Sequence, residues 1–410
     1  MMTRILFFTV LLLLIDFLAF QAIRQLLTTS SKPAKAIVYI VYWAIPLITV
    51  IYLAGFTTGW SENLPKGVQV TIRTMIFIMY FSKLLIASII LIDDLRRLLF
   101  GALNMGFDDW KLSTERSRWM SYGALILGAI PVLSLTYGMA RNQYRYQVLK
   151  TKVPVKNLHP DLHGLKIVQI SDIHSGSFLL KEPVERSIEM INAERPDIVF
   201  FTGDLVNSLA KEMEPFVAMF KKIEAPLGVY SILGNHDYGD YHQWPNQEDK
   251  KQNFEDLKNI HKQLGWDLLL NEHRQVQVGN THFNVIGVEN YSASPRFPKY
   301  GDLVLATEGM QKDTFNVLLS HDPSHWEAQV APGYPEIDLT LSGHTHGFQF
   351  GVEIPGFMKW SPIQYVYPQW AGLYEKATQY LYVNRGLGYL GYPGRVGILP
   401  EITLLTLEQS

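Results

Sequence analysis

Four membrane-crossing helices followed by a layered α/β domain form the architecture this 410-residue sequence predicts. Three observations predict it. Long apolar stretches crowd the first 140 residues, strand-like and helix-like patterns alternate from about Leu165, and polar donors recur where the strands end. Crossing a bilayer takes roughly 20 apolar residues as helix. The candidate spans are approximately Ile5–Ile23, Ala36–Phe56, Met75–Ile92 and Ser121–Met139. The first is too long for a signal peptide, lacks a small-residue cleavage pattern and is followed by three more spans. Trp43, Trp60, Trp110, Trp119, Tyr122 and Tyr137 lie within or near span ends. Such rings anchor at membrane–water interfaces.

Asp16 and Lys83 sit inside spans, where a charge persists only when paired or facing a wet cavity. Lysines and arginines beside the span ends are nearly balanced between the two sides. The positive-inside rule therefore assigns no orientation, and the reading is a multi-pass protein of the cell membrane with the side of its soluble domain open. The chain divides into a membrane region at 1–140, an interfacial connector at 141–164 and a soluble domain at 165–410. The net charge of −2 gives no basic field for nucleic acid, and none is expected as a partner. The absence of cysteine excludes disulfides, zinc–thiolate sites and a cysteine nucleophile.

In the soluble half, "LKIVQIS" (165–171), "PDIVFFTG" (196–203) and "GVYSILG" (228–234) read as buried strands. "EPVERSIEMINAE" (182–194) and "EPFVAMFKKIEA" (214–225) read as the helices between them. "NFEDLKNIHKQLG" (253–265) is another helix, and "WDLLL", "QVQVG" and "HFNVIGV" are short strands in a meander. "TFNVLLS" (314–320), "IDLTLSG" (337–343), "QYLYVNRG" (379–386) and "EITLLTLE" (401–408) complete the strands. This alternation is that of a layered α/β domain.

The informative regularity lies at the strand ends. Successive strands finish in Asp172-Ile173-His174, Asp204, Asn235-His236-Asp237, His321-Asp322 and His344-Thr345-His346. Turn preference accounts for aspartate and asparagine there, but not for so many histidines. Open α/β sheets build their sites at the carboxyl ends of strands. Asp172, His174, Asp204, Asn235, His321, His344 and His346 are too many donors for one tetrahedral ion. They suit two ions about 3.5–4 Å apart sharing a carboxylate. Nitrogen and oxygen ligands without sulfur favour Mn, Fe, Zn, Co or Ni over calcium.

In order, "SDIH", "GDLV", "GNHD", "SHDP" and "GHTH" resemble the five signature blocks of the calcineurin-like metallophosphoesterase superfamily, over roughly Leu165 to Gly347. The ending "NRGLGYLGYPGRVGILPEITLLTL" resembles the membrane-associated bacterial branch of that superfamily. The resemblance implies an αββα sandwich with two divalent metals at one rim. Asp172, His174 and His346 would hold the first metal. Asn235, His321 and His344 would hold the second, and Asp204 would bridge both. His236 would face the substrate phosphate and protonate the leaving oxygen, with Asp237 holding its imidazole. The implied activity is metal-dependent hydrolysis of a phosphate ester or pyrophosphate by a hydroxide bridging the ions.

Two arginines in the glycine-rich tail, Arg385 and Arg395, read either as a phosphate clamp or as a tie for the loop. The aromatic run "EIPGFMKWSPIQYVYPQWAGLY" (353–374) offers Trp360, Tyr365, Tyr367 and Trp370 as an amphipathic lip at a membrane, or as packing over the sandwich edge. Family relatives acting on nucleotide-linked glycolipids make a lipid phosphoester or pyrophosphate the preferred substrate, with membrane lipids as partners. The alternatives are a phosphoesterase on soluble nucleotides or phosphoproteins, and a metal-binding membrane sensor without turnover.

Overall fold

A computed structural model describes residues 2–107, 110–354 and 357–410. The chain forms two compact units, Met1–Tyr137 and Gly138–Ser410. In the first, α1 (Met2–Leu26), α2 (Lys32–Thr58), α3 (Lys66–Gly106) and α4 (Arg118–Tyr137) are each long and apolar enough to cross a membrane. Their outward side chains are apolar, Ile40 being 71% and Leu133 70% exposed. A helix hydrophobic on its solvent side is a helix built for lipid. Pro33 opens α2 in its first turn, where a missing N–H leaves no bond unmade, and Gly59 closes it at φ 72°.

Helix α3 runs well past the expected end of its span at Ile92. The charges that mark the end of the apolar stretch are paired, so they do not stop the helix. Asp93 accepts from Arg96 Nε at 2.9 Å and from the Ser117 backbone N–H at 3.1 Å, and Arg116 reaches Asp94 at 2.6 Å. Deeper in the same unit, Lys83 Nζ meets Asp16 Oδ1 at 2.5 Å. Tyr80 donates to Asp16 Oδ2 at 2.8 Å and Tyr42 to the Asp16 carbonyl at 2.6 Å. One buried pair thus ties α1, α2 and α3, and both charges are satisfied within it. Gly128 lets α4 approach α3 closely; a Cβ there would lie 2.5 Å from Ile86.

The second unit is two six-stranded mixed sheets face to face. The first has the order β1 (Gln147–Val155), β14 (Glu401–Gln409), β2 (Lys166–Ile170), β3 (Ile198–Thr202), β4 (Val229–Ile232) and β5 (Asp267–Leu268). The second has the order β12 (Gly372–Lys376), β13 (Gln379–Val383), β9 (Leu339–Ser342), β8 (Asn316–Leu319), β7 (Thr281–Gly287) and β6 (Glu272–Val278). A small pair, β10 (Val352–Ile354) and β11 (Met358–Trp360), stands apart from both.

Strand alternation sorts the cores. Ile167, Ile198, Phe200, Val317 and Leu341 fill the space between the sheets. Val168, Ile170, Val199 and Phe201 pack the outer face of the first sheet under α5 (Glu182–Ala193), the short α6 (Val217–Phe220) and α7 (Gln247–Leu264). Ile286, Leu318 and Leu381 pack the other outer face under Trp326 and Val330.

Three expectations change. The unit boundary falls at Gly138, and the segment 141–164 contains β1, which lies in parallel register against β14 rather than serving as a connector alone. The helix expected over 214–225 shrinks to α6, because Pro215 and Pro226 bracket it. Strands β10, β11 and β12 arise in and at the edges of the aromatic segment, which is not among the expected strands.

Removing one partner of a buried ion pair leaves an uncompensated charge and costs about 3–5 kcal/mol. Lys83→Met and Asp16→Leu are each expected to lower the resistance of the purified protein to unfolding by that amount. The double substitution should recover most of the loss, as measured by denaturant titration in detergent.

Candidate metal centre

The five strands that end in polar residues deliver them to one rim. β2, β3 and β4 come from the first sheet and β8 and β9 from the second. The two sheets are stitched together just beneath that rim. Gln169 Nε2 donates to the Ser342 carbonyl at 2.9 Å, and His321 Nδ1 donates to the Thr202 carbonyl at 2.7 Å. Asp172, His174, Asp204, His344 and His346 all have positive φ, between 46° and 71°. Non-glycine residues adopt that region rarely, and such strain clusters where side chains must be aimed.

All seven expected donors come together. Asp172, His174 and His346 form one group and Asp172, Asp204 and His321 a second, the chosen donor atoms of each lying within 4.8 Å of one another. His344 Nδ1 stands 2.8 Å from Asn235 Oδ1, and its ring is 5.2 Å from that of His321. The Asp172 carboxylate accepts the His344 backbone N–H at 3.0 and 3.1 Å and Ser171 Oγ at 2.5 Å.

These residues fit divalent cations. His174 Nε2 and His346 Nε2 face each other at 3.1 Å, with Asp204 Oδ2 3.4 Å from the first and Asp172 Oδ1 3.3 Å from the second. Without a cation, one of these rings must spend its Nε2 proton on the other's lone pair; with one, both nitrogens can serve as donors to it. His321 Nε2 is buried without a proper hydrogen bond, 3.2 Å from Asp204 Oδ2. Burial pushes Asp172 up to about 6 and His174 down to about 3, and it holds His346 well below its ordinary range. Burial works against Asp204 and His321, but their mutual attraction wins, holding Asp204 well below the carboxylate range and lifting His321 to about 10. His174 and His346 held neutral, beside carboxylates that draw positive charge onto His321, are a donor set suited to a metal ion.

Around these groups stands a supporting layer that sequence reading missed. Tyr367 places its hydroxyl 2.9 Å from His344 Nε2 and donates to Asp322 Oδ2 at 3.2 Å. Asn384 accepts Ser171 Oγ at 2.8 Å, beneath Asp172. Gly386 passes so close, at φ 81°, that a Cβ would lie 2.9 Å from Asp172 and 3.0 Å from His346. The "HD" of "SHDP" and the "NRG" of the tail were the available signals.

One expected role needs correcting, and two readings left open are decided. Asp237 does not hold the His236 ring. Its carboxylate accepts backbone N–H groups from Asp204, Leu205, Val206 and Gly234 at 2.8–3.2 Å and so organises the loop carrying Asp204. His236 instead donates from Nδ1 to the Asn207 carbonyl at 2.8 Å, which leaves Nε2 free of that bond. Arg385 and Arg395 are buried, and their packing does not suit a phosphate clamp. Arg385 binds Glu401 at 2.5 Å and Glu353 at 2.7 Å, while Arg395 donates to the carbonyls of Arg385 at 2.8 Å and Gly388 at 2.5 Å. Of the aromatic lip, Tyr367 and Trp370 turn inward, Trp360 is half-buried and Tyr365 alone is exposed. Pro355 and Gly356 of that segment lie outside the described residues.

Residues 165–348 match the calcineurin-like phosphoesterase family, and residues 2–143 match the transmembrane domain of calcineurin-like phosphoesterases. The chain is 31% identical over 296 residues to the transmembrane protein with metallophosphoesterase domain of Danio rerio, covering 70% of this chain and 62% of that one. The Bos taurus protein of the same name is 31% identical over 299 residues, with the same shares. The match to the uncharacterized metallophosphoesterase YkuE of Bacillus subtilis (strain 168) is 29% over 304 residues, covering 73% of this chain and 99% of the relative. The match thus spans less than two thirds of the length of the two vertebrate relatives.

Each hydrogen bond to a charged group contributes about 1.5–3 kcal/mol. Asp237→Ala is therefore expected to lower the thermal stability of the protein markedly, whereas His236→Ala leaves it nearly unchanged. Parallel melting curves check the difference.

Proposed function

We propose, from the premise that this chain belongs to the calcineurin-like phosphoesterase family and is a multi-pass membrane protein, that it hydrolyses a phosphate ester or pyrophosphate of a lipid or nucleotide-linked glycolipid with the help of two divalent cations. The observation that carries the reading is the pair of overlapping donor groups sharing Asp172. In this reading Asp172, His174 and His346 would hold one cation and Asn235, His321 and His344 the other, with Asp204 available to either. When bound, such cations supply Lewis acidity, neutralising phosphoryl oxygens and making water a usable nucleophile near neutral pH.

The chain's own residues do the remaining work. Asp322 and Tyr367 lock the ring of His344 so that Nδ1 faces Asn235. Outer contacts of this type orient ligands. His236, steadied through Nδ1 by Asn207 and packed 4.4 Å from the Tyr241 ring, offers Nε2 to the leaving oxygen. The phosphorus–oxygen bond breaks as the leaving oxygen takes a proton from Nε2 of the doubly protonated ring, the oxygen of water becomes bonded to phosphorus, and the proton that water loses passes to solvent, from which Nε2 is reprotonated. The preference for a lipid-borne substrate draws support from the four spans on the same chain.

Asp204→Asn is expected to abolish metal uptake and turnover together, measured by elemental analysis and by phosphate release from the full-length protein. His236→Ala should retain metal and lose about 10²–10⁴-fold in rate, the usual contribution of general acid catalysis. Loss of metal in that variant would overturn the assigned role. Phosphate release from vesicle-borne phospholipids and free nucleotides, compared at equal concentration, separates the substrate classes.

A further inference from the structure

The β10–β11 hairpin is inside out. Its register pairs Val352 with Trp360, Glu353 with Lys359 and Ile354 with Met358. Side chains alternate between faces along a strand, so Glu353 and Lys359 share one face and the apolar pairs share the other. A hairpin on a water-soluble domain turns its apolar face to the protein and its charges to water. Here both charged ends reach back to the protein, although Lys359 as a whole stays exposed. Glu353 binds the buried guanidinium of Arg385 at 2.7 Å. Lys359 donates to the Ala371 carbonyl and lies 4.8 Å over the Trp370 ring. Val352, Ile354 and Met358 are left outside, with Trp360 half-buried, joined by Phe357, 81% exposed at the turn, and by Tyr365, 77% exposed on the following loop. Phe348 and Val366 extend the same exposed surface. A patch of this kind marks a site of interaction.

The location of the hairpin root identifies what covers it. The fourth apolar span runs to Asn142, so its last residues, Gly138–Asn142, belong to the second unit. There the Asn142 amide donates to the Arg395 carbonyl at 3.0 Å, and the Gly138 carbonyl accepts from Arg395 N–H at 3.4 Å. The next residue, Val396, is bonded to the segment entering the hairpin: its N–H reaches the Gln349 carbonyl at 2.8 Å, and its carbonyl accepts Gly351 N–H at 2.9 Å. The end of a membrane span and the root of an inverted hairpin are therefore fixed to adjacent residues, Arg395 and Val396. Phe, Tyr and Trp beside aliphatic side chains are also the composition of a membrane interface.

We infer that the outer face of the hairpin, with Phe348, Tyr365 and Val366, is a lipid-docking surface resting in the headgroup–acyl boundary of the bilayer. This surface is separate from the substrate reading above, and its occupant is lipid whether or not the substrate is. The segment that carries it continues directly to Tyr367, whose hydroxyl contacts His344, so docking and the candidate metal centre share one stretch of chain.

The chain contains no cysteine, so single cysteines can be labelled without background. Full-length Phe357→Cys, Tyr365→Cys and Val366→Cys proteins, each carrying a nitroxide and reconstituted in phosphatidylcholine vesicles, are compared with Lys221→Cys. Lys221 is exposed and precedes the amino end of β4, opposite the rim that carries the donors. Collision of the label with oxygen, which concentrates in lipid, is measured against collision with a water-soluble nickel chelate. Oxygen should dominate at 357, 365 and 366, and nickel at 221. Nickel dominance at all four positions overturns the inference, as does shielding from both reagents at the hairpin, which would mean that protein covers it. No turnover enters the measurement, so its failure leaves the hydrolase reading untouched.

Discussion

Two carboxylates, Asp172 and Asp204, are buried among four imidazoles at the place where two sheets meet. Burying one carboxylate is expensive unless hydrogen bonds or positive charge compensate it. Asp172 is compensated by the His344 backbone and Ser171, and Asp204 by the His236 backbone at 2.9 Å and by the pull it exerts on His321. Those contacts require five loops to keep fixed shapes, and the positive φ values at Asp172, His174, Asp204, His344 and His346 record the strain of holding them. The fold is arranged to sustain that strain. Asp237 grips four backbone N–H groups, and the sheets are bridged by Gln169 and His321 directly below.

The glycine-rich tail does related work from the other side. Arg385, Glu401 and Arg395 are buried, and Tyr382 donates to Glu401 at 2.7 Å. Arg395 gathers the carbonyls of Arg385, Gly386 and Gly388, bending the chain so that Gly386 fits against Asp172 and His346. Such a network is costly to assemble and costly to break, which suits a scaffold that must not shift. The backbone of the same arginine bonds the residues that continue from the last apolar helix, and that of the next residue, Val396, bonds those that root the inverted hairpin. One short stretch of the tail thus joins the floor of the donor cluster to the base of an apolar surface.

Much of the donor set was legible from residue order alone. Histidines recur just after apolar runs, and turn preference does not place them there, so their clustering had a chemical reading before any fold was known. The spans were equally legible, because twenty apolar residues have few other uses. The supporting layer was not. Tyr367 reaches His344 only because residues 361–374 fold back over the rim, and the "NHD" triplet does not disclose that its aspartate serves backbone N–H groups instead of the adjacent ring. Asp16 and Lys83, 67 residues apart, each required a partner that local sequence could not name. β1 is likewise completed by a strand from the opposite end of the unit.

The sequence by itself determined the kind of element at most positions and the chemical character of the rim, since period, length and donor type are local properties. Tertiary structure alone decided which face of an element is inside. Alternation in "VEI" and "MKW" divides side chains between two faces, and it reads identically whether the charges or the hydrocarbon meet the protein. Arg385 and the Ala371 carbonyl settled that choice by drawing Glu353 and Lys359 inward. The two arginines of the tail became scaffold for the same reason: their partners are distant in sequence and adjacent only after folding.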